Sequence, residues 1–485
     1  VRNVSLSYRQ QNAMAIPGFM PMAGDVFGQK RDGVLTPGLD FAFGLTGDSF
    51  IDKAVENNWL LMAESVATPA TSNKTEDLQI RMTLEPVKNF RIDLNASRAE
   101  TRAKSVHYMF DGMPMTQSGT FTMTTISMKS ALEGMGDANN GYYSASFEKF
   151  CNSLDHYQQR VQAQYEGAIY PAGTSKAGQA YNPENGTVNK YSADVMVPAF
   201  LANYTGSGGG KLNIFPALSR LLPNWSIRYS GLSQLPFFQN LFKSVNLNHS
   251  YKSIYAVGAY SSYSTFMEYM NGLGFVTDAT TGNPTPSSMF NISTVSINES
   301  FSPLLGIDVT LQNNLTCKLE YRTTRVLNLS MTSVQINESS SHDWVLGFAY
   351  KINDFKLFGG GGSRKNARTS GNNRGNRQNN NNAQQRQSQS SRGGRSNFNH
   401  DLNLRLDLSL RKQATIVRDI ATVTSSASSG NNAFKLSFNA DYTLSRLLTM
   451  SFFFDRQTNT PLLSSSSYPT TIHDFGLSMK FSLTR

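Results

Sequence analysis

Cysteine is almost missing from this chain. Cys151 and Cys317 are the two in 485 residues, and neither belongs to a Cys-x-x-Cys pair, so a disulfide framework and a thiolate metal site are both excluded as organising features. Cys151 falls in a predicted helix and Cys317 in the apolar register of Leu315, Leu319 and Tyr321, which makes both packing residues. Histidine is sparse too. His107, His156, His249, His342, His400 and His473 show no His-Glu-x-x-His or paired spacing, and no Gly-x-Ser-x-Gly elbow accompanies them. Two near-misses fail on single positions. GSGGGKL (206–212) has Thr205 and Leu212 where a phosphate-binding loop needs Gly and Ser or Thr. Asp137, Asn139 and Glu148 have calcium-loop spacing but Tyr142 stands where the turn needs glycine, so turn chemistry ahead of a helix explains Asp137 to Gly141 better. No enzyme, cofactor or metal site is expected. Long apolar runs are absent as well: apolar content is 39%, and without some 18 consecutive apolar residues no transmembrane helix is predicted. That leaves membrane β-barrels open, because half of every barrel strand is polar.

What the chain has in quantity is strict alternation. Leu402, Leu404, Leu406, Leu408 and Leu410 point one way, and Asn403, Arg405, Asp407, Ser409 and Arg411 the other. Phe434, Leu436, Phe438, Ala440, Tyr442 and Leu444 repeat the pattern, then Leu448, Met450, Phe452 and Phe454, then Phe475, Leu477, Met479, Phe481 and Leu483. Four such strands in a row form an antiparallel meander. Either a soluble sandwich or a membrane barrel satisfies the pattern. Strand length favours the barrel: soluble strands run about 5 to 6 residues, transmembrane ones about 9 to 11. The final strand adds Gly476, Met479 and Phe481, spaced like the C-terminal signal by which bacterial outer-membrane barrels are recognised for assembly. The fold class expected is all-β: part of the wall of a large antiparallel transmembrane β-barrel, with a small α-helical insertion. Leu402, Leu404, Leu406, Leu408, Phe434, Leu436, Phe438, Phe452, Phe475 and Leu477 would face lipid. Arg81, Glu85, Lys318, Glu320, Arg405, Asp407, Arg411, Lys435 and Lys480 would line a wet lumen.

Five regions follow. Residues 1–129 read as barrel strands and loops, with Leu78 to Leu84 and Phe90 to Ala96 as a hairpin and VLTPGLDFAFGL as a further possible strand. Val1 already sits in strand pattern, as expected for a piece of a longer protein. Residues 130–222 change rhythm: Phe147, Phe150, Cys151, Leu154, Tyr157, Val161 and Tyr165 fall at helical spacing, and a second helix is expected near Asp194 to Tyr204. These helices would pack on the wall or on each other, or form a cap or plug across the lumen. Residues 223–358 return to strands, and 400–485 complete them. Apolar parity is unbroken from Leu315 to Met331 and from Leu402 to Ile420, apart from Thr323, Arg325, Lys412 and Arg418, which favours one long strand in each case. Residues 359–399 carry eight basic side chains and no acidic one, so they supply most of the formal net charge of +10 and leave the rest nearly neutral. With almost nothing apolar they read as a disordered loop between strands, and with no aromatic before Phe398 to stack on bases they do not read as a nucleic-acid site.

A resemblance adds to this reading. VPAFLANYTG (197–206), LPNWSIRYSGLSQLPFFQNLFKSVNLNHSYKSIYAVGAYSS (222–262), FSPLLGIDVTLQNNLTCKLEYRTTRVLNLSM (301–331), HDLNLRLDLSLRKQATIVRDI and DFGLSMKFSL together resemble, in the same order, the C-terminal part of the SprA/Sov family, the outer-membrane translocon of the type IX secretion system in Bacteroidetes. The likeness covers most of residues 190–485 and is looser before them, and residues 359–399 depart from it. It implies a very large barrel of which this chain supplies about fifteen strands. It further implies folded cargo with type IX C-terminal domains, a PorV-like barrel gating a lateral opening, a periplasmic plug and a surrounding lipid bilayer. No catalytic residue is implied. A porin or a nutrient transporter for small molecules is the alternative.

Overall fold

The computed structural model describes the chain except residues 22–29, 32–33, 36–37, 44–45, 48, 62–67, 108–114, 207–212, 271, 279–280, 354, 356–399, 446, 464–467 and 483–485. The basic stretch 359–399, most of GSGGGKL and Leu483 therefore lie outside the described residues. The alternating runs become long strands: β1 (Asn3–Ala15), β2 (Ala70–Val87), β3 (Phe90–Val106), β4 (Met115–Thr124), β5 (Asn224–Tyr229), β6 (Phe242–Ser262), β7 (Phe290–Ile292), β8 (Thr294–Leu311), β9 (Leu315–Ser330), β10 (Gln335–Ile352), β11 (Leu402–Asp419), β12 (Thr424–Thr443), β13 (Leu448–Pro461) and β14 (Thr470–Phe481). The two runs of unbroken parity are single strands, β9 and β11. Among the described residues of VLTPGLDFAFGL there is no long strand: Val34–Leu35 pairs with Lys30–Arg31, and Leu39–Ala42 is one helical turn.

All fourteen strands join one antiparallel sheet, in the order β1-β2-β3-β4-β6-β8-β9-β10-β11-β12-β13-β14. Neighbours in sequence are neighbours in space at nearly every step, the meander that short connections dictate. Asn89 and Asn314, both at positive φ, make the tight turns β2–β3 and β8–β9. Among the described residues β1 and β14 are paired on one side only, so the sheet has two open edges.

One column of the sheet is made from two segments. Between β3 and β6, β4 pairs with Arg98 to Val106 and β5 with Phe90 to Asn95, both running the same way. The Leu222 amide donates to the Thr124 carbonyl at 3.5 Å, so the chain leaves the sheet and re-enters it at one point. Residues 125–223 are thus an insertion within a single column.

That insertion is built on α1 (Ala145–Ala163) and α2 (Ala193–Thr205). Ser144 caps α1 by accepting the Phe147 amide at 3.2 Å, and the residues at helical spacing, Phe147 to Val161, are its buried face. α2 is buried almost all round, with Val195, Met196, Val197 and Phe200 inaccessible to solvent. The helices meet through Phe150, Phe200 and Tyr204, and the same cluster continues into the sheet through Phe121, Tyr255, Val295, Ile297, Leu329 and Ile336. A three-stranded sheet, Phe266–Met270, Leu273–Thr277 and Pro284–Ser288, closes the far end, where the Tyr165 hydroxyl donates to the Gly274 carbonyl at 2.9 Å.

Candidate functional site

Residues directly opposite in a ladder share a face, so the register fixes the two faces of the sheet. Leu406 stands opposite Phe348 and Phe438, Leu408 opposite Leu346 and Leu436, Phe438 opposite Phe454, and Phe454 opposite Phe475. Leu402, Leu404, Phe434, Phe452 and Leu477 share that face with them. Carried the other way, the face holds Leu319 and Ile307, then Leu247, Ile227, Ile92, Met82 and Val4. An apolar belt therefore crosses the whole sheet, from one open edge to the other. From Leu402 to Leu410 it runs nine residues, about 27 Å along the strand at ~3.4 Å per residue and roughly 21 Å in height at a tilt of about 40°, close to the ~25 Å apolar band of a membrane barrel. Aromatic residues border it: Tyr321 and Trp344 above, with rings 4.5 Å apart, and Tyr350 and Tyr442 below. Among the described residues nothing covers the belt. Leu6 is 69% exposed, Phe475 73% and Leu477 61%, far from the small scattered patches of a soluble surface.

The opposite face is mainly polar, with Phe453, Val345 and Ile254 among its apolar members. Lys318 pairs with Glu320 at 2.9 Å and Arg322 closes on the same carboxylate. Arg405 pairs with Asp407 at 2.6 Å, and Arg411 grips Asp343 with two bonds of 2.9 and 3.0 Å. Arg81 donates to Gln79 at 3.2 Å, and at the strand end Glu85 meets Arg2 at 2.7 Å. Lys435 stands opposite Ser409, and Lys480 opposite Thr449. The sequence-derived polar and apolar sets thus fall on opposite faces of one sheet. The three residues of the assembly signal do not stay together: Met479 and Phe481 belong to the belt, whereas Gly476 lies on the polar face. A Cβ there would come within 2.5 Å of the Phe453 ring that covers it, a packing reason for the glycine.

Above the belt, on the same face, the pattern changes. Positions in the apolar register now carry charge, and the insertion covers those around Glu338 and Glu299. Glu338 is buried between Arg325 (2.8 Å) and Arg418 (2.7 Å), all three at most 4% exposed. Both guanidinium groups reach into the insertion: Arg325 donates to the Ser130 carbonyl and lies 5.5 Å from the Tyr204 ring centre, and Arg418 donates to the Tyr142 carbonyl at 2.6 Å and lies 5.7 Å from that of Phe147. Glu299 accepts from Ser127 (2.7 Å) and Tyr251 (2.6 Å). Farther along, Glu100 joins Arg98 and Arg102, and Lys104 holds Asp52 at 3.0 Å. The signal for this layer was in the sequence: Thr323, Arg325, Lys412 and Arg418 break the apolar register where the belt ends.

The helices lie on the belt-bearing face, above the belt, and not against the polar face, because their apolar sides match Phe121, Tyr255 and Val295 there. Within the insertion, burial pushes the Cys151 thiol up to about 11, which leaves it unreactive. Burial also raises the Glu133 carboxyl, but hydrogen bonds from the Ser146 amide (3.2 Å) and hydroxyl outweigh it and hold the group below its usual range. Asp137 caps the turn Ala138–Asn140 through the Asn139 and Asn140 amides, which is turn chemistry. Among the described residues no three His, Cys, Asp or Glu side chains are placed to hold a metal, and no helix is long and apolar enough to cross a membrane.

No family model matches the chain, and no curated protein does. Among solved structures it is similar to the β domain of the Bordetella autotransporter BrkA, with 6% identity and a TM-score of 0.22 over 86% of this chain and 92% of that one. It is also similar to an anion-selective porin from Comamonas acidovorans, with 6% identity and a TM-score of 0.12 over 85% of this chain and 96% of that one.

Proposed function

We propose that this chain is part of the wall of a large outer-membrane barrel that conducts folded proteins in type IX secretion. The observation that carries the membrane reading is the apolar belt that none of the described residues covers, close in height to the apolar band of a membrane barrel and backed at every column by a mainly polar face. Lipid on the first face and water on the second satisfy both. The open edges support a wide bore. Twelve columns at ~4.8 Å, tilted about 40°, span an arc of roughly 75 Å, which alone would close to a ring only about 24 Å across. Further strands joining β1 and β14 would enlarge it towards the size a folded cargo needs.

The secretion reading rests on the sequence resemblance in residues 190–485. Cargo with type IX C-terminal domains would pass the polar face, a PorV-like barrel would gate a lateral opening, and a plug would close the periplasmic side. With the β14 end in the periplasm, the ends of β10 and β11 at Ile352 and Leu402 lie on that side and the insertion stands on the outer side, outside the wall. Deleting the gene tests it: secreted type IX cargo should be lost. Intact secretion together with a nutrient-uptake defect would replace this reading by that of a small-molecule transporter.

A further inference from the structure

The margin between belt and insertion is open at one place. Across β9 to β13, on the belt-bearing face, lies a groove of about 660 Å³. Its floor is a stack of rings: Tyr321 on Trp344 at 4.5 Å, and His342 parallel to Tyr321, tied to its hydroxyl through Nδ1 at 2.9 Å. Below, Leu410 and Phe434 belong to the belt. Above stands Lys412, and one step higher Ala414 is already buried under Met135 of the insertion.

Lys412 differs from most cations of this margin. Arg98, Lys104, Arg325 and Arg418 all hold carboxylates, whereas Lys412, like Arg456 at the top of the belt on β13, is exposed and makes no ion pair among the described residues. Nearby carboxylates are engaged: Asp343 binds Arg411 on the opposite face, and Glu338 is held by two arginines. An amine without a counter-ion thus sits directly over an apolar belt, beside an aromatic platform at the height where membrane proteins meet headgroups.

We propose that this groove binds a membrane lipid whose phosphate headgroup carries net negative charge. The phosphate sits at Lys412, the headgroup linkage lies against Tyr321 and Trp344, and an acyl chain runs down over Leu410 and Phe434. This rests on the reading that the belt faces lipid, and the test separates the two.

The full-length protein is reconstituted in phosphatidylcholine vesicles containing either brominated phosphatidylglycerol or brominated phosphatidylcholine. Quenching of Trp344 is read as the difference between the protein and its Trp344→Phe variant. Phosphatidylglycerol should be preferred roughly fivefold, as expected for one lysine at an anionic surface. Lys412→Gln should bring the two lipids to parity, and Lys412→Arg should keep the preference. Equal quenching by both lipids in the unaltered protein, or a preference that survives Lys412→Gln, overturns the site and leaves the belt reading intact. No quenching by either lipid overturns both.

Discussion

The lower and upper halves of the belt-bearing face are made by the same strands with the same alternation, yet they meet different surroundings. In the lower half Leu406, Phe438, Phe454 and Phe475 project side by side with none of the described residues over them. In the upper half Ile336, Ile416 and Leu329 are fully buried, and charge appears between them as Arg325, Glu338 and Arg418. Alternation decides which way a side chain points; it does not decide what lies there. A charge in the apolar register is tolerable only where something can satisfy it, and the insertion does so with the Ser130 and Tyr142 carbonyls and two aromatic rings. Lipid could not.

The strongest way to break the comparison is to remove the shared carboxylate. Glu338→Ala leaves two buried guanidinium groups uncompensated and should cost about 3–5 kcal/mol. The loss should be local: residues 125–223 become protease-sensitive while the belt strands stay protected in detergent. Replacing all three residues together, Arg325→Met, Glu338→Leu and Arg418→Met, should recover most of the stability. If Glu338→Ala leaves the insertion as resistant as before, apolar contacts alone hold it and the charged layer is incidental.

The converse change places a charge in the bare half. Leu406→Arg should destabilise the protein in bilayers by roughly 2–4 kcal/mol, whereas Arg405→Leu, one residue away on the polar face, should change it little. Denaturant unfolding from vesicles measures both. Spin labels at the two positions supply a second readout, with Leu406 sensing a lipid-soluble quencher and Arg405 a water-soluble one. Equal responses would remove the distinction between the faces. Gly476→Ala should cost about 1 kcal/mol by displacing the Phe453 ring, and Phe453→Leu should relieve it. An assembly defect that persists in the double variant would assign Gly476 to recognition and not to packing.

How much of this was legible follows from the range of each interaction. Strand faces were readable because period two is local, and α1 was readable because Phe147 to Val161 keep helical spacing along one face. α2 offered less, since a helix buried on all sides has no polar stripe to mark it. The division of one column between β4 and β5 could not be read at all: Thr124 and Leu222 are brought together only by their common neighbours β3 and β6. The residues that broke the register were visible, but their meaning depended on partners far off in sequence, Ser130 and Tyr142 for Arg325 and Arg418. Belt and margin were therefore separable in the sequence as pattern and exception, while the cause of the exception was tertiary.

The smallest expected effect concerns the cover itself. Asp194 lies in the first turn of α2, where the helix N-terminus favours a charged carboxylate, yet burial prevails and pushes it up to about 7. Its ordinary value is 3.8, so between these two limits the unfolded chain has already lost a proton that the folded insertion keeps. Stability then falls as pH rises through that window and levels off above it. Tyr165 and Tyr263 beside it are raised by their own burial and stay neutral throughout. Hydrogen exchange of α2 amides, corrected for the intrinsic rate, should show protection declining from about pH 4 to 7, less steeply than the full shift implies because the carboxyl is partly open to water. Asp194→Asn should flatten the profile and leave the belt strands unaffected. A decline that persists in Asp194→Asn, or one shared by β11 and β12, would place the pH-sensitive group in the wall and not in its cover.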